Sequence, residues 1–88
     1  MQIELTHKFQ KQVLNCNDPR IKSKIYKIIQ QVKACDSMIE FPNLKKLVGY
    51  RNIYRICFGS YRIGIVIENQ TVTFAAFDHR SDIYKYFP

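Results

Sequence analysis

The chain has 88 residues, 47% of them apolar, and carries a formal net charge of +7 from fourteen Lys and Arg against seven Asp and Glu. That size fits one domain over residues 1–88 with a single core, and the apolar content excludes a disordered tail. No apolar run approaches the roughly 20 residues that span a bilayer, and Met1-Gln-Ile-Glu-Leu-Thr-His-Lys8 has no signal-peptide core. A cytoplasmic protein without a membrane partner is therefore expected.

Gln2 to Leu5 alternate, with Ile3 and Leu5 against Gln2 and Glu4, as a short strand does. Thr6 is placed to cap a helix in which Phe9 and Val13 fall four apart, ending near Asn15-Cys16-Asn17. Asp18-Pro19 then starts a second helix, Asp as cap and Pro where its missing N–H costs nothing. Ile21, Ile25, Ile28, Ile29, Val32 and Cys35 recur at helical spacing, and Lys22, Lys24, Lys27 and Lys33 fall on the other side. The two helices are read as a hairpin. Phe41 to Tyr50, with Pro42, Gly49 and the Lys45-Lys46 pair, reads as an irregular connection.

Three strands follow. Gly59-Ser60 fits a two-residue hairpin turn with Gly first, as type II′ requires. Counting back pairs Phe58 with Tyr61, Cys57 with Arg62, Ile56 with Ile63, Arg55 with Gly64 and Tyr54 with Ile65. A second turn at Asn69-Gln70, continued without interruption, pairs Ile67 with Val72, Ile65 with Phe74 and Ile63 with Ala76 on the core face. On the open face the same count pairs Val66 with Thr73, Gly64 with Ala75 and Arg62 with Phe77. Ser81 is placed to cap a short closing helix through Tyr86.

This register sets Arg62 and Arg55 diagonally on one open face, with no carboxylate between them, so a phosphate is the natural counter-charge. Gly64, opposite Arg55, leaves room for a ligand backbone to approach. Asp78, His79 and Arg80 are expected to emerge beside Arg62, and Tyr84 follows Arg80 by one helical turn. Histidine exchanges protons near neutral pH, which makes His79 a candidate proton carrier. Lys45, Lys46 and Arg51 complete the basic set as RNA- or phosphate-binding candidates.

Other chemistries find no support. The sequence has no Gly-rich phosphate loop, no nucleophile elbow and no metal-ligand constellation. Cys16, Cys35 and Cys57 are odd in number, widely spaced and lack a Cys-x-x-Cys pair, so buried reduced thiols are expected rather than a disulfide framework or zinc module. No metal and no cofactor is expected.

From strand and helical hairpin through Leu44-Lys-Lys-Leu47, Tyr54-Arg-Ile…Gly59-Ser-Tyr-Arg62 and His79-Arg-Ser-Asp-Ile-Tyr84, the chain resembles the RelE/ParE superfamily of toxins from toxin–antitoxin pairs. The resemblance implies an α+β fold: an N-terminal strand, a helical hairpin, a three-stranded antiparallel meander and a short C-terminal helix. It also implies a ribosome-dependent, metal-independent endoribonuclease that cuts mRNA by 2′-OH attack. Arg62, His79, Arg80 and Tyr84 would form the catalytic set and Arg55 a neighbouring phosphate contact, with the base open between His79 and Tyr84. Implied partners are a cognate antitoxin, the ribosome and mRNA, with operator DNA reached only through the antitoxin complex. Cys57 departs from members that carry a second basic residue there. Two alternatives therefore stand beside the nuclease: a ParE-like DNA gyrase inhibitor without RNase activity, and a catalytically weak member acting through antitoxin or operator binding.

Overall fold

Strand β1 (Gln2–Leu5) runs directly into helix α1 (His7–Leu14), with Thr6 as the cap between them. In the computed structural model, which describes Met1–Pro88, the Thr6 hydroxyl accepts from the Phe9 N–H at 3.1 Å and donates to the Ala75 carbonyl at 3.2 Å. One small side chain thus starts the helix and ties it to a distant strand. Helix α2 (Pro19–Ala34) begins as the Asp18-Pro19 signal predicts, the Asp18 carboxylate accepting from the Arg20 N–H at 2.9 Å.

The remaining elements are β2 (Leu44–Lys46), β3 (Ile53–Phe58), β4 (Tyr61–Glu68), β5 (Thr71–His79) and the four-residue α3 (Arg80–Ile83). The five strands form one sheet in the order β1-β5-β4-β3-β2, with β1 parallel to β5 and the other pairs antiparallel. Phe9 and Val13 of α1 and Ile25, Ile28 and Val32 of α2 pack on one face against Ile56, Ile63, Ile65, Val72 and Phe74. Burying each such side chain contributes about 1.5–3 kcal/mol, which is what holds the two helices on the sheet.

The β3–β4 hairpin has the register expected from its turn, from Phe58 opposite Tyr61 through Tyr54 opposite Ile65. Gly59 has φ +54° and Ser60 is not in the left-handed region, as a turn with Gly first demands.

Three expectations are corrected. The stretch read as irregular connection contains β2, which adds a fourth antiparallel strand beside β3. The β4–β5 pairing does not continue without interruption: the register shifts between Gly64 and Ile65, so Ile63 faces Phe77, Gly64 faces Ala76 and Arg62 faces Asp78. The extra residue, Ala75, is accommodated as a bulge and moves every later β5 side chain to the other face. Phe77 thereby enters the core, at 4% exposure, where an uninterrupted ladder would have set it on the open face. Finally, α3 is capped by His79 rather than Ser81, the ring Nδ1 accepting from the Ser81 N–H at 3.3 Å.

The three cysteines are free, and each is half-buried rather than fully enclosed. No helix is long and apolar enough to cross a membrane.

Candidate functional site

The bulge decides which side chains share the sheet face opposite α1 and α2. One row across it runs Lys45, Arg55, Gly64, Ala76 on β2 to β5, and the next runs Cys57, Arg62, Asp78. Lys45 therefore joins Arg55 directly, and Arg55 and Arg62 stand diagonal to each other. The face does hold a carboxylate, contrary to the uninterrupted register: Asp78 lies straight across from Arg62.

Asp78 nevertheless neutralises neither arginine. Its two oxygens accept from the His79 N–H at 2.8 Å and the Tyr86 hydroxyl at 2.9 Å. The only ion pairs in the protein are Arg20–Asp18 and Lys85–Asp82, so Arg55, Arg62, Arg80 and Lys45 have no carboxylate partner. Arg62 Nη1 donates to the Gly59 and Tyr61 carbonyls at 2.9 and 2.8 Å, which aims the guanidinium at the hairpin turn. The Arg55 guanidinium carbon sits 4.5 Å from the centre of the Tyr84 ring, and its Nε and Nη1 are buried with no hydrogen-bond partner.

The other sequence candidates divide. Arg80, exposed, opens α3 and is anchored at the same sheet end by its N–H to the Ser60 carbonyl at 2.7 Å. His79 reaches that end but faces the helices: it lies opposite Tyr61, ring centres 5.8 Å apart, while Tyr61 stacks on Phe58 and Phe77. Its Nδ1 is also 2.8 Å from the Ser81 hydroxyl, so the ring is occupied with capping. Lys46 pairs with Tyr54 and so lies on the helix side of the sheet edge. Arg51 is in the β2–β3 loop, beyond the Ile53 end of β3 and at the opposite end of that strand from the Gly59-Ser60 turn.

The bare patch expected at Gly64 is not bare. A Cβ built there would overlap the Phe87 ring, so Phe87 fills the space that the missing side chain leaves. Beside it the Tyr86 hydroxyl receives a hydrogen bond from Gln12 Nε2 at 2.6 Å, while Gln12 Oε1 accepts from the Phe77 N–H at 2.9 Å. Lys8 Nζ stands 3.8 Å from the centre of the Tyr86 ring. Burial, reinforced by the Asp78 carboxylate and opposed by the Gln12 amide, pushes the Tyr86 hydroxyl up to about 12. No three His, Cys or carboxylate side chains gather into a metal-ligand group.

A sheet flanked on one face by a helical hairpin and presenting unpaired arginines on the other can be compared with known proteins. The family model described as the ParE toxin of the type II toxin–antitoxin system parDE matches residues 3–84. The chain belongs to this toxin family. Toxin RelE3 of Methanocaldococcus jannaschii is 41% identical over 69 residues, 77% of this chain and 78% of that toxin. The crystal structure of a RelB–RelE antitoxin–toxin complex from Methanococcus jannaschii aligns with TM-score 0.82 and 34% identity, over 97% of this chain and 99% of that one. An archaeal RelE–RelB complex from Pyrococcus horikoshii, at TM-score 0.74 and 12% identity over 92% and 96% of the two chains, shows the shared fold. The protein is thus a toxin of the RelE/ParE type, and its α+β architecture is that of RelE.

Three residues around this face were not singled out by sequence reasoning: Gln12, Tyr86 and Phe87. The available signal was the aromatic run Tyr84-Lys-Tyr-Phe87, dense for an exposed closing segment. Gln12 gave none, because its role depends on α1 lying beside β5.

Proposed function

We propose that this toxin binds RNA on the open sheet face and cleaves it at the ribosome. The reading rests on one observation: Arg55 and Arg62 stand on adjacent strands of one face, unpaired by any carboxylate, with the Tyr84 ring over Arg55. Two adjacent cations repel each other, and a phosphodiester between them relieves that repulsion while accepting their N–H groups. The same donors stabilise the additional negative charge that develops at phosphorus when a 2′-hydroxyl attacks. Arg62, pinned to the turn carbonyls, is the pre-oriented member, and Lys45 and Arg80 extend the positive field along and beyond the row. Tyr84, exposed above Arg55, is the proton carrier on this face. His79 serves α3 instead. The products of such a reaction are a cyclic phosphate and a free 5′-hydroxyl, with the 2′-proton leaving through a base and the 5′-oxygen taking one from an acid.

The names of its relatives extend the reading to partners. The Methanococcus jannaschii and Pyrococcus horikoshii structures are complexes with RelB antitoxins, and a cognate antitoxin is the partner we assign to this toxin, with ribosome and mRNA as targets. A second reading, gyrase inhibition, is favoured by the match to the ParE model and by Cys57 in the middle of the face, where another cation would serve a nuclease. Adding the purified toxin to translating ribosomes and mapping mRNA ends by primer extension decides between them. New ends within the ribosomal A site support cleavage. Intact mRNA with loss of gyrase supercoiling overturns it.

A further inference from the structure

Arg55 and Gly64 are cross-strand partners, and both are covered by the segment that follows α3. Gly64 is buried because the Phe87 ring rests where a Cβ would be. Arg55 is covered by the Tyr84 ring, and its Nε and Nη1 reach neither water nor any acceptor. A ring face attracts the cation but accepts no in-plane N–H bonds, so a buried charged donor is left unsatisfied. Such an orphan needs an explanation, and the uncovered site supplies one: an anion in the place of Phe87 would lie on Gly64, the cross-strand partner of Arg55.

Tyr86 supplies the side-chain hydrogen bonds that hold the cover. Tyr86 donates to Asp78 Oδ2 at 2.9 Å and accepts from Gln12 Nε2 at 2.6 Å, which fixes the segment to β5 and α1 at once. Phe87 itself is attached through its N–H to the Ile83 carbonyl at 2.9 Å, at the end of the four-residue α3. The segment is thus joined to the sheet face by a four-residue helix and the Tyr86 hydroxyl, with no strand pairing of its own.

We propose that Tyr86 and Phe87 form a self-inhibitory lid, with Phe87 occupying the phosphate subsite of Arg55 and Tyr86 latching it shut. The proposal rests on the reading of the open face as an RNA phosphate site. RNA reaches Arg55 only after Phe87 leaves Gly64, so the closed toxin binds RNA through Arg62 and the exposed cations alone.

The test uses a fluorescent 2′-O-methyl RNA oligonucleotide, which cannot be cut, followed by anisotropy without ribosomes. Phe87→Ala is expected to bind about tenfold tighter than wild type, the gain that a charge-assisted bond to phosphate supplies. The gain should vanish in Phe87→Ala/Arg55→Gln. Tyr86→Phe, which keeps the ring and removes the latch, should shift affinity in the same direction and serves if Phe87→Ala does not fold. Where wild type binds the oligonucleotide, unchanged or weaker binding by the folded single variants, or a gain that survives Arg55→Gln, overturns the lid. A second readout separates the two ideas: NMR of the Arg55 Nε–H during titration with inorganic phosphate. If no variant binds RNA but phosphate shifts Arg55 only in the unlatched variants, the RNA reading fails and the lid stands. If phosphate leaves Arg55 unmoved in every variant and RNA does not bind, the lid falls too.

Discussion

Tyr86 donates its hydroxyl hydrogen to Asp78 at 2.9 Å, and that bond exists only while the phenol is protonated. Burial first, and then the Asp78 carboxylate, raise the hydroxyl from its ordinary 10 to about 12. The folded chain therefore holds this proton more tightly than the unfolded chain does. The resulting stability is fully present below about pH 10 and is lost as pH rises towards about 12. Tyr86 is 38% exposed, so solvent screening keeps the effect modest. Thermal unfolding of wild type and Tyr86→Phe should differ by a constant amount below pH 10 and converge above it. A difference that persists unchanged to pH 12 would contradict the assignment.

Thr6 makes two unrelated bonds from one hydroxyl, to the Phe9 N–H and to the carbonyl of the bulged residue Ala75. Removing a helix cap costs about 1 kcal/mol, and leaving a partly buried carbonyl without its donor adds a similar amount. Thr6→Ala should therefore lower stability by about 2 kcal/mol in urea unfolding, and Thr6→Ser should recover most of it. A loss no larger than that of an ordinary cap would mean the Ala75 bond contributes nothing.

That bulge also marks where the sequence stops being sufficient. The β3–β4 register was legible because Gly59-Ser60 admits one turn geometry and every pair then counts back from it. Both helix starts were legible because Thr6 and Asp18-Pro19 carry their own chemistry. Ala75-Ala76 carries none, since either alanine fits either face, and simple alternation looks equally apolar until Phe77 is reached. The slip of one residue put Asp78 on the open face, straight across from Arg62 where Phe77 was expected, and turned His79 towards the helices. The pairing of β2 was hidden by its length, three residues with two lysines. The fold-back of Phe87 onto Gly64 is a tertiary contact that no local pattern announces.

The second hairpin turn is strained where the first is not. Asn69 and Gln70 have φ +49° and +66°, both left-handed, and glutamine gains nothing there from its side chain. Left-handed backbone costs a non-glycine residue about 1–2 kcal/mol, partly offset by the larger freedom glycine loses on folding. Gln70→Gly creates the favoured Asn-Gly turn and should stabilise the toxin by about 0.5–1 kcal/mol, a rise of roughly 4 °C in Tm. A fall in Tm would show that the glutamine makes a compensating contact.

Arg62 carries both a structural and a proposed chemical role. Its bonds to the Gly59 and Tyr61 carbonyls close the β3–β4 turn, so Arg62→Ala should lower stability by about 1 kcal/mol. Loss of a preorganised donor at a developing negative charge costs about 10²–10³ in rate, far more than that destabilisation produces. Primer-extension signal from ribosomes should fall by that factor in Arg62→Ala while circular dichroism at working temperature is unchanged. Arg62→Lys keeps the charge but not the planar fork and should fall between the two. Cleavage at the wild-type rate in Arg62→Ala would place the site elsewhere.

His79 provides the contrasting case, because its ring caps α3 and stacks edge-on against Tyr61 instead of facing the arginines. Asparagine is an effective helix cap and carries no titratable proton near neutral pH. If capping is the role of His79, His79→Asn should keep the α3 geometry and leave ribosomal cleavage within about threefold of wild type. His79→Ala should instead loosen α3 and, through Tyr84 and Arg80, reduce cleavage together with thermal stability. A collapse of activity in His79→Asn with stability intact would restore the imidazole as a proton carrier. The pH profile checks the same point: wild type and His79→Asn should share one profile between pH 5 and 8, the interval in which an unperturbed histidine titrates.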